Sequence, residues 1–549
     1  MDSILLVLTP LLPLLWAILP LVMGLKKTQT CPVAGDCSDS GVTVCPGMLW
    51  TGTALSVGLM VWSALAGLQS GAMFQAPWIK ELGIHWAFSS GGLASALLLL
   101  AAVIFPVVVQ HALNTVHHRQ PLFFSLLFLL MSGVSGTLLA ADAFVFFLMF
   151  ELQLVPMALM IAVWGKGSHG SEAEQQAEAK KQGFTYGMIT ILGSVFVLGA
   201  LLSLASMIQP TLAEPEKLFL FETLRQAVAN GQVPPVAQIG LALAFLIGFG
   251  LKFPMVPLHR WLPSVYAVAP TSVNMLSSGL MVKLAAVGLI RFAVDLFPQA
   301  VLVLAPLMAL LGVASILYGA VLTLAQRDVK QFLAYSSISH MGFVLLALAA
   351  GNGVGMMAAT LTLVAHGLSS VGLFVCVSLL EKAYPNATLD NLRGVGQQLP
   401  VVFYAFMFFT LASLGLPLLP NFAGELATFW ATSTSLSFQS IQLGSLYIPV
   451  SINVLGWLTA VAVVLSAGYG LWLLKRLFFD APNTLLTPAN AAAFSLQRSD
   501  VAMLVVMILA SLIVGFLPNT LTQLTQSDVV PMGIKIEQIV YSLMKQPHQ

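Results

Sequence analysis

The sequence predicts an all-α polytopic membrane protein of about 14 transmembrane helices, with two inverted-repeat halves and two broken helices, near 252 and 417–425. Three observations predict it. Apolar residues make up 58% of the 549 residues and charged residues only 8%, against about 25% charged in an ordinary soluble domain. Apolar runs of helix length recur along the whole chain, and fourteen of them at about 20 residues each use roughly 280 apolar residues, most of the stock the composition supplies. Prolines interrupt two of the runs beside isolated charges. No stretch is left for a soluble catalytic domain. The formal net charge of +1 supplies no basic stripe of the kind that neutralising nucleic-acid phosphates requires.

In windows of about 19 residues, the first seven spans fall near 3–24, 49–68, 90–110, 121–139, 142–164, 184–207 and 235–252. The first reads as a retained helix, because Asp2 stands where a signal peptide carries basic residues and no A-x-A cleavage pattern follows. The loop at 25–48 holds Cys31, Cys37 and Cys45, whose C-x5-C-x7-C spacing matches neither a zinc nor an iron–sulfur signature. Unbonded thiols are the expectation there. The loop at 171–181, SEAEQQAEAKK, reads as a solvated segment. The other seven spans fall near 270–293, 299–322, 331–350, 356–380, 401–433, 451–474 and 501–518. The run 401–433 is too long for one straight crossing and contains Pro417 and Pro420, so it reads as a single interrupted helix. GNGVGMM at 351–357 follows no strand and lies between spans, which makes it a loop rather than a dinucleotide fingerprint.

An even number of spans puts both termini on one side. Loops opposite the termini carry fourteen of the 22 Lys and Arg and loops on the terminal side six, leaving Lys252 and Lys283 within or at the end of spans. By the positive-inside rule both termini then lie on the periplasmic or lumenal side of a bacterial plasma membrane or thylakoid. The cysteine loop faces the reducing cytoplasm, in keeping with free thiols.

An ionisable group at the centre of a span costs about 2.5 to 3.5 kcal/mol on insertion scales, so each one present asks for a reason. There are four: Glu151 in FLMFELQLVPM, Lys252 in FLIGFGLKFPMVPLH, Lys283 in GLMVKLAAVGL and Glu425 in LPNFAGELATFW. Unpaired, they would together cost roughly 10 to 14 kcal/mol. Two acids and two bases on four helices suggest a chain of partners through the middle of the protein. His340 in AYSSISHMGF and His366 in LVAHGLSS add two titratable groups, each with hydroxyls at helical spacing: Ser336 for the first, Thr362 and Ser370 for the second. One such histidine is ordinarily a packing residue; two, lying between a Lys and a Glu in sequence, argue for a polar path that holds water. Breakers adjoin the charges. Pro254 and Pro257 follow Lys252, freeing the carbonyl of Gly250, and Pro417 and Pro420 precede Glu425, freeing those of Ser413 and Leu416. Broken backbone at membrane depth is tolerated only against protein or a water-filled cavity, and a pair of interrupted helices in two halves points to an ion site. A buried ammonium keeps its proton beside a carboxylate and sheds it when the carboxylate withdraws, which is the working part of a proton relay.

At these residues the chain resembles a known family. FELQLVPM, LKFPMVPLHRWLP, APTSVNMLSSGLMVKLAAVGLIRF, QRDVKQFLAYSSISHMGF, AHGLSS and LPNFAGEL are similar to the antiporter-like proton-pumping subunits of respiratory and photosynthetic complex I, of the NuoM/NdhD type, also called chain 4 of NAD(P)H:quinone oxidoreductase. The similarity runs from about residue 120 to 435. It implies fourteen helices with external termini, a first half-channel repeat at 121–293 and a second at 299–475. It also implies a role for each residue: Glu151 as the partner of Lys252 on a broken helix, Lys283 as the bridge between half-channels, His340 and His366 as relays and Glu425 as the last group. Glutamate at the last place is typical of the M-type branch, whereas L-type subunits carry lysine there and a long lateral helix after their last spans; only about 31 residues follow residue 518 here. The chain departs from the family in two places. LPLLPNFAGE lacks the usual Pro-Gly, and LHRWLPSVYAVAPT has no acid or histidine where relatives commonly carry Asp, His and Glu after the WLP.

The resemblance implies a proton-translocating subunit of an NAD(P)H:quinone oxidoreductase, embedded among other membrane subunits. It has no cofactor or metal of its own; NAD(P)H, FMN, iron–sulfur clusters and quinone are expected on partner subunits. Two readings share the ancestral fold: a subunit of an Mrp-type cation/proton antiporter, and a membrane subunit of a hydrogenase or carbon-dioxide-uptake complex. Glu425 fits the complex I and antiporter readings alike. A solute transporter is a weaker reading, since its polar groups would cluster round one pocket rather than spread along the chain.

Overall fold

The structure, a computed structural model, describes residues 2–22, 44–69, 72–167, 170–384, 389, 392–435, 438–443, 446–481 and 495–545. Thirteen helices among these are long and apolar enough to cross a membrane, and the shorter apolar helix Pro400–Ser413 makes a fourteenth. The chain is a multi-span integral membrane protein. Its helices are α1 (Asp2–Trp16), α2 (Pro46–Gln69), α3 (Gly92–Thr115), α4 (Gln120–Leu139), α5 (Ala143–Glu151), α6 (Leu154–Trp164), α7 (Glu172–Ile208), α8 (Phe221–Ala229), α9 (Pro235–Lys252) and α10 (Trp261–Val268). There follow the span α11 (Thr271–Asp295), then α12 (Pro298–Leu324), α13 (Val329–Ala349), α14 (Gly353–Ala383), α15 (Pro400–Ser413), α16 (Pro420–Ser433), α17 (Ile452–Leu474), α18 (Arg498–Phe516) and α19 (Pro518–Lys545).

Burial ranks these helices. α11 and α14 are buried inside the protein along their whole apolar length, whereas most of the first span and of α18 is not. The exposed apolar side chains of α7, among them Phe184, Val195 and Leu202, form the outer surface expected where lipid is the solvent. Small residues let the inner helices touch: a Cβ on Gly342 of α13 would lie 2.6 Å from the Gly312 carbonyl of α12. Close backbone contact of this kind replaces the hydrophobic effect as the packing force between helices in lipid. Gly342→Leu is accordingly expected to overpack this contact by about 1–3 kcal/mol, read as a lower thermal midpoint of the detergent-solubilised protein.

Alternate loops gather at opposite ends. His117 and His118 after α3, Lys166 after α6, Asp328 and Lys330 at the start of α13 and Lys382 at the end of α14 line one cavity of about 610 Å³. At the other end the chain runs through a hairpin, β1 (Met73–Ile79) with β2 (Ile84–Ser89), antiparallel in the register Met73↔Ser89 to Ile79↔Ile84. Sequence reading gave no strand there. In β2, IHWAFS, four of the six residues are buried, so the polar–apolar alternation that betrays a strand is missing. Gly83, at φ +72°, closes the turn and has the Pro215 carbonyl where a Cβ would stand.

Other departures have physical causes. SEAEQQAEAKK is helical, not a loop: Ser171 and Glu174 form a reciprocal capping box that starts α7 at Glu172. The C-terminal residues form the 28-residue helix α19, which packs on α14 and α3. A second hairpin, β3 (Phe438–Leu443) with β4 (Leu446–Ser451), follows α16. The freed carbonyls are partly recaptured, that of Gly250 by the Met255 N–H at 3.5 Å and that of Leu416 by the Leu419 N–H at 3.0 Å. The span 142–164 carries a break the sequence reading did not assign, at Leu152–Gln153 between α5 and α6; Pro156 clashes with the carbonyl four residues back and removes its donor. Cys45 is exposed and free, while Cys31 and Cys37 lie outside the described residues.

Candidate functional site

Two helix ends built by these breaks carry the first pair. Glu151 is the last residue of α5 and Lys252 the last of α9, and Lys252 Nζ donates to Glu151 Oε1 at 2.6 Å. The ammonium sits at a helix C-terminus, where the backbone dipole favours a cation, and lies 4.0 Å from the centre of the Phe150 ring. The side chains are 11% and 20% exposed for Lys252 and Glu151. Beside them is a cavity with about 20 Å³ of room for water centres, walled by Gln153, Tyr186, Thr190, Trp261, Ser277 and other residues. That is space for about one water molecule.

The second group draws on four helices. Lys283, buried on α11, donates to the carbonyl of Ser278 and lies 2.6 Å from His366 Nδ1 on α14. Two cations at that distance in a low dielectric would repel strongly. The His366 ring centre is 5.3 Å from that of His340 on α13, and His340 Nδ1 is 3.5 Å from Glu425 Oε1 on α16. Neither His340 nitrogen nor Glu425 Oε1 has a partner of full hydrogen-bond geometry among the described residues.

Local backbone accounts for the placement. α11 contains a π turn, Ser277–Met281, immediately before the Lys283 segment, and a second at Leu289–Asp295; such turns widen the helix and are common at functional sites. Gly415, in the break between α15 and α16, has φ +69°, and a Cβ there would lie 2.4 Å from Glu425 Oε2. Gly424 brings α16 against α14, with Thr362 Oγ1 2.4 Å from the place of its Cβ.

All six residues singled out in the sequence fall on buried or half-buried positions, in two groups. Lys283, His366, His340 and Glu425 form one string and Glu151 with Lys252 the other; no hydrogen bond among the described residues joins Lys252 to Lys283. The hydroxyls expected to hold water beside the histidines are partly occupied: Thr362 donates to the Ala358 carbonyl and Ser370 to that of Gly367. Ser336 instead meets the Tyr469 hydroxyl at 3.1 Å. Sequence reasoning missed Asp142, which caps α5 by accepting from Phe144 and Val145 N–H and ties it to β2 through the His85 N–H at 3.0 Å. It also missed Arg291, whose guanidinium holds the Ala140 and Leu138 carbonyls at 2.6 and 2.9 Å. The signal was present in each case as a lone charge next to a span boundary.

Fold and site together define a class: a multi-span membrane protein built round a buried string of titratable side chains, with helices broken where the charges stand. The model of the family described as NADH:quinone oxidoreductase/Mrp antiporter, TM, matches residues 140–449, and the chain belongs to that family. It is 33% identical over 462 residues to NAD(P)H-quinone oxidoreductase chain 4 1 of Synechococcus sp. (strain JA-3-3Ab), covering 84% of this chain and 81% of the relative. The fold is similar to a chain of respiratory complex I from Thermus thermophilus, with a TM-score of 0.79 at 24% identity, covering 97% of this chain and 99% of that one. It is similar as well to a chain of the Mrp complex from Dietzia sp. DQ12-45-1b, with a TM-score of 0.75 at 19% identity, covering 98% of this chain and 55% of that one.

Proposed function

We propose that this chain is the proton-translocating membrane subunit of an NAD(P)H:quinone oxidoreductase of the complex I type. The observation that carries the reading is the succession of neighbouring titratable groups, Lys283, His366, His340 and Glu425, across four helices, preceded by the Glu151–Lys252 pair. The chain 4 name of its Synechococcus relative supports the assembly. In this reading residues 121–293 form the first half-channel repeat and 299–475 the second, and both termini lie on the periplasmic or lumenal face. NAD(P)H, FMN, iron–sulfur clusters and quinone sit on partner subunits.

The geometry performs the work in ordered steps. While Glu151 holds Lys252, the ammonium keeps its proton; when an electrostatic change from a neighbouring subunit draws the carboxylate away, the proton leaves. Lys283 passes its own proton to His366, which is placed to accept at 2.6 Å. The proton moves to His340 and ends on Glu425. Moving one charge against about 150 mV takes roughly 3.5 kcal/mol, comparable to opening one buried ion pair.

Vesicles of the host membrane, driven by NAD(P)H, test this through the pH gradient formed per electron transferred. Gly415→Ala is expected to reduce that gradient several-fold: a side chain at φ +69° costs about 1–2 kcal/mol, and its Cβ displaces the Glu425 carboxylate from His340. An unchanged gradient in that variant removes Glu425 from the route. A gradient that needs sodium, and vanishes when choline replaces it, favours the Mrp-type antiporter, whose fold this chain shares.

A further inference from the structure

Glu151 and Lys283 stand on helices that share one anchor. Glu151 closes α5, and Asp142 caps the opposite end of the same nine-residue helix. At 1.5 Å per residue the two are about 14 Å apart along the axis. Asp142 is fully buried, and its partners among the described residues are backbone N–H groups. Oδ1 accepts from Phe144 and Val145 at the start of α5, at 2.9 and 3.0 Å, while Oδ2 accepts from His85 of β2 at 3.0 Å. A cap alone needs no charge, since serine, threonine or asparagine serves as well. The second acceptor oxygen is what a carboxylate adds; asparagine has one, and would turn its NH2 toward the other donor. The chain on either side is pinned too. Ala141 N–H donates to the Ala87 carbonyl at 2.9 Å and Ala143 N–H to that of Phe219 at 2.7 Å.

Arg291 holds the same stretch from α11, eight residues after Lys283. Its guanidinium takes the Leu138 and Ala140 carbonyls at the end of α4, and lies 5.9 Å from the centre of the Phe146 ring, one turn into α5. Phe146 in turn meets Phe292 of α11 at 5.0 Å and Phe249 of α9 at 6.2 Å. Past Glu151 the helix is interrupted at Leu152–Gln153, so α6 does not extend it as one rigid piece. α5 is a short rod held at its foot, and the foot decides where its far end lies.

We propose that Asp142 and Arg291 are positioning residues for Glu151: the anchor they form at residues 138–145 sets the reach of the Glu151 carboxylate to Lys252 and ties it to α11, which carries Lys283. This rests on the proton-translocating function proposed above. The contact it protects is 2.6 Å long, and a displacement of about 1 Å away from Lys252 takes it beyond hydrogen-bond reach.

The test uses the assembled complex in membrane vesicles and two readouts. One is proton transport per electron transferred. The other is the rate at which dicyclohexylcarbodiimide, which attacks carboxyl groups it can reach in an apolar setting, consumes the unmodified peptide containing Glu151, followed by mass spectrometry; Lys252→Ala supplies the value for an unshielded Glu151. Asp142→Asn keeps size and shape, and is expected to lower transport at least threefold and to raise the Glu151 reaction rate at least threefold, with NAD(P)H oxidation and assembly retained. Arg291→Lys puts a point charge in place of the fork; it is expected to move both readouts the same way, and decides the matter should Asp142→Asn not assemble. Lost transport with an unchanged reaction rate overturns the positioning of Glu151, as does no change in either readout. A faster reaction with full transport upholds the anchor and overturns instead the proton-translocating role of the Glu151–Lys252 pair, so the two failures are told apart.

Discussion

Lys252→Ala is expected to lower proton transport by the assembled complex at least tenfold, and Lys252→Arg to do nearly the same. The two substitutions fail for different reasons. Alanine removes the group that holds and releases the proton and leaves Glu151 without its partner at 2.6 Å. Breaking a buried pair costs about 3–5 kcal/mol; with Glu151 20% exposed the low end applies, too little to dismantle a bundle of fourteen helices. A tenfold loss corresponds to about 1.4 kcal/mol on the rate-limiting barrier, well below what losing the carrier removes. Arginine keeps the ion pair and the contact with Phe150, yet a guanidinium does not give up its proton in a protein. Transport that survives in Lys252→Arg but not in Lys252→Ala would mean the pair acts only as a fixed charge, and the release step would be wrong. Vesicle pH gradients normalised to NAD(P)H oxidation make the comparison.

Glu425→Ala is expected to have the second largest effect, again at least tenfold, with Glu425→Gln close to it. The carboxylate is 6% exposed and faces His340 at 3.5 Å. Glutamine preserves its size and its fit against Gly415 but accepts no proton, so similar losses in both variants assign the effect to proton acceptance rather than to shape. Normal transport in Glu425→Gln contradicts the final step. Glu425→Asp keeps the chemistry with a shorter arm and is expected to retain an intermediate rate.

Much of this was readable before any coordinates. The fourteen spans were legible because lipid imposes one length and one chemistry on every crossing helix, and the four charges and two histidines because each departs from that chemistry. The pairing of Glu151 with Lys252 came from the family resemblance, and the ion pair at 2.6 Å agrees with it. Less legible was anything set by backbone geometry. The π turn at Ser277–Met281 leaves no mark in a pattern that is apolar all round, since α11 has no outer face to contrast with an inner one. β2 hid for the same reason, and the break at Leu152–Gln153 was signalled only by Pro156, four residues after the carbonyl it disables.

That α11 and α14 meet only protein along their apolar length reaches beyond packing. The charges they bear are insulated in a sheath the polypeptide builds for itself, so their surroundings are the same whichever phospholipid, sterol or detergent bathes the outer ring. Groups shielded in this way can be moved from one organism's bilayer to another's, or into a micelle, without a change in their immediate surroundings.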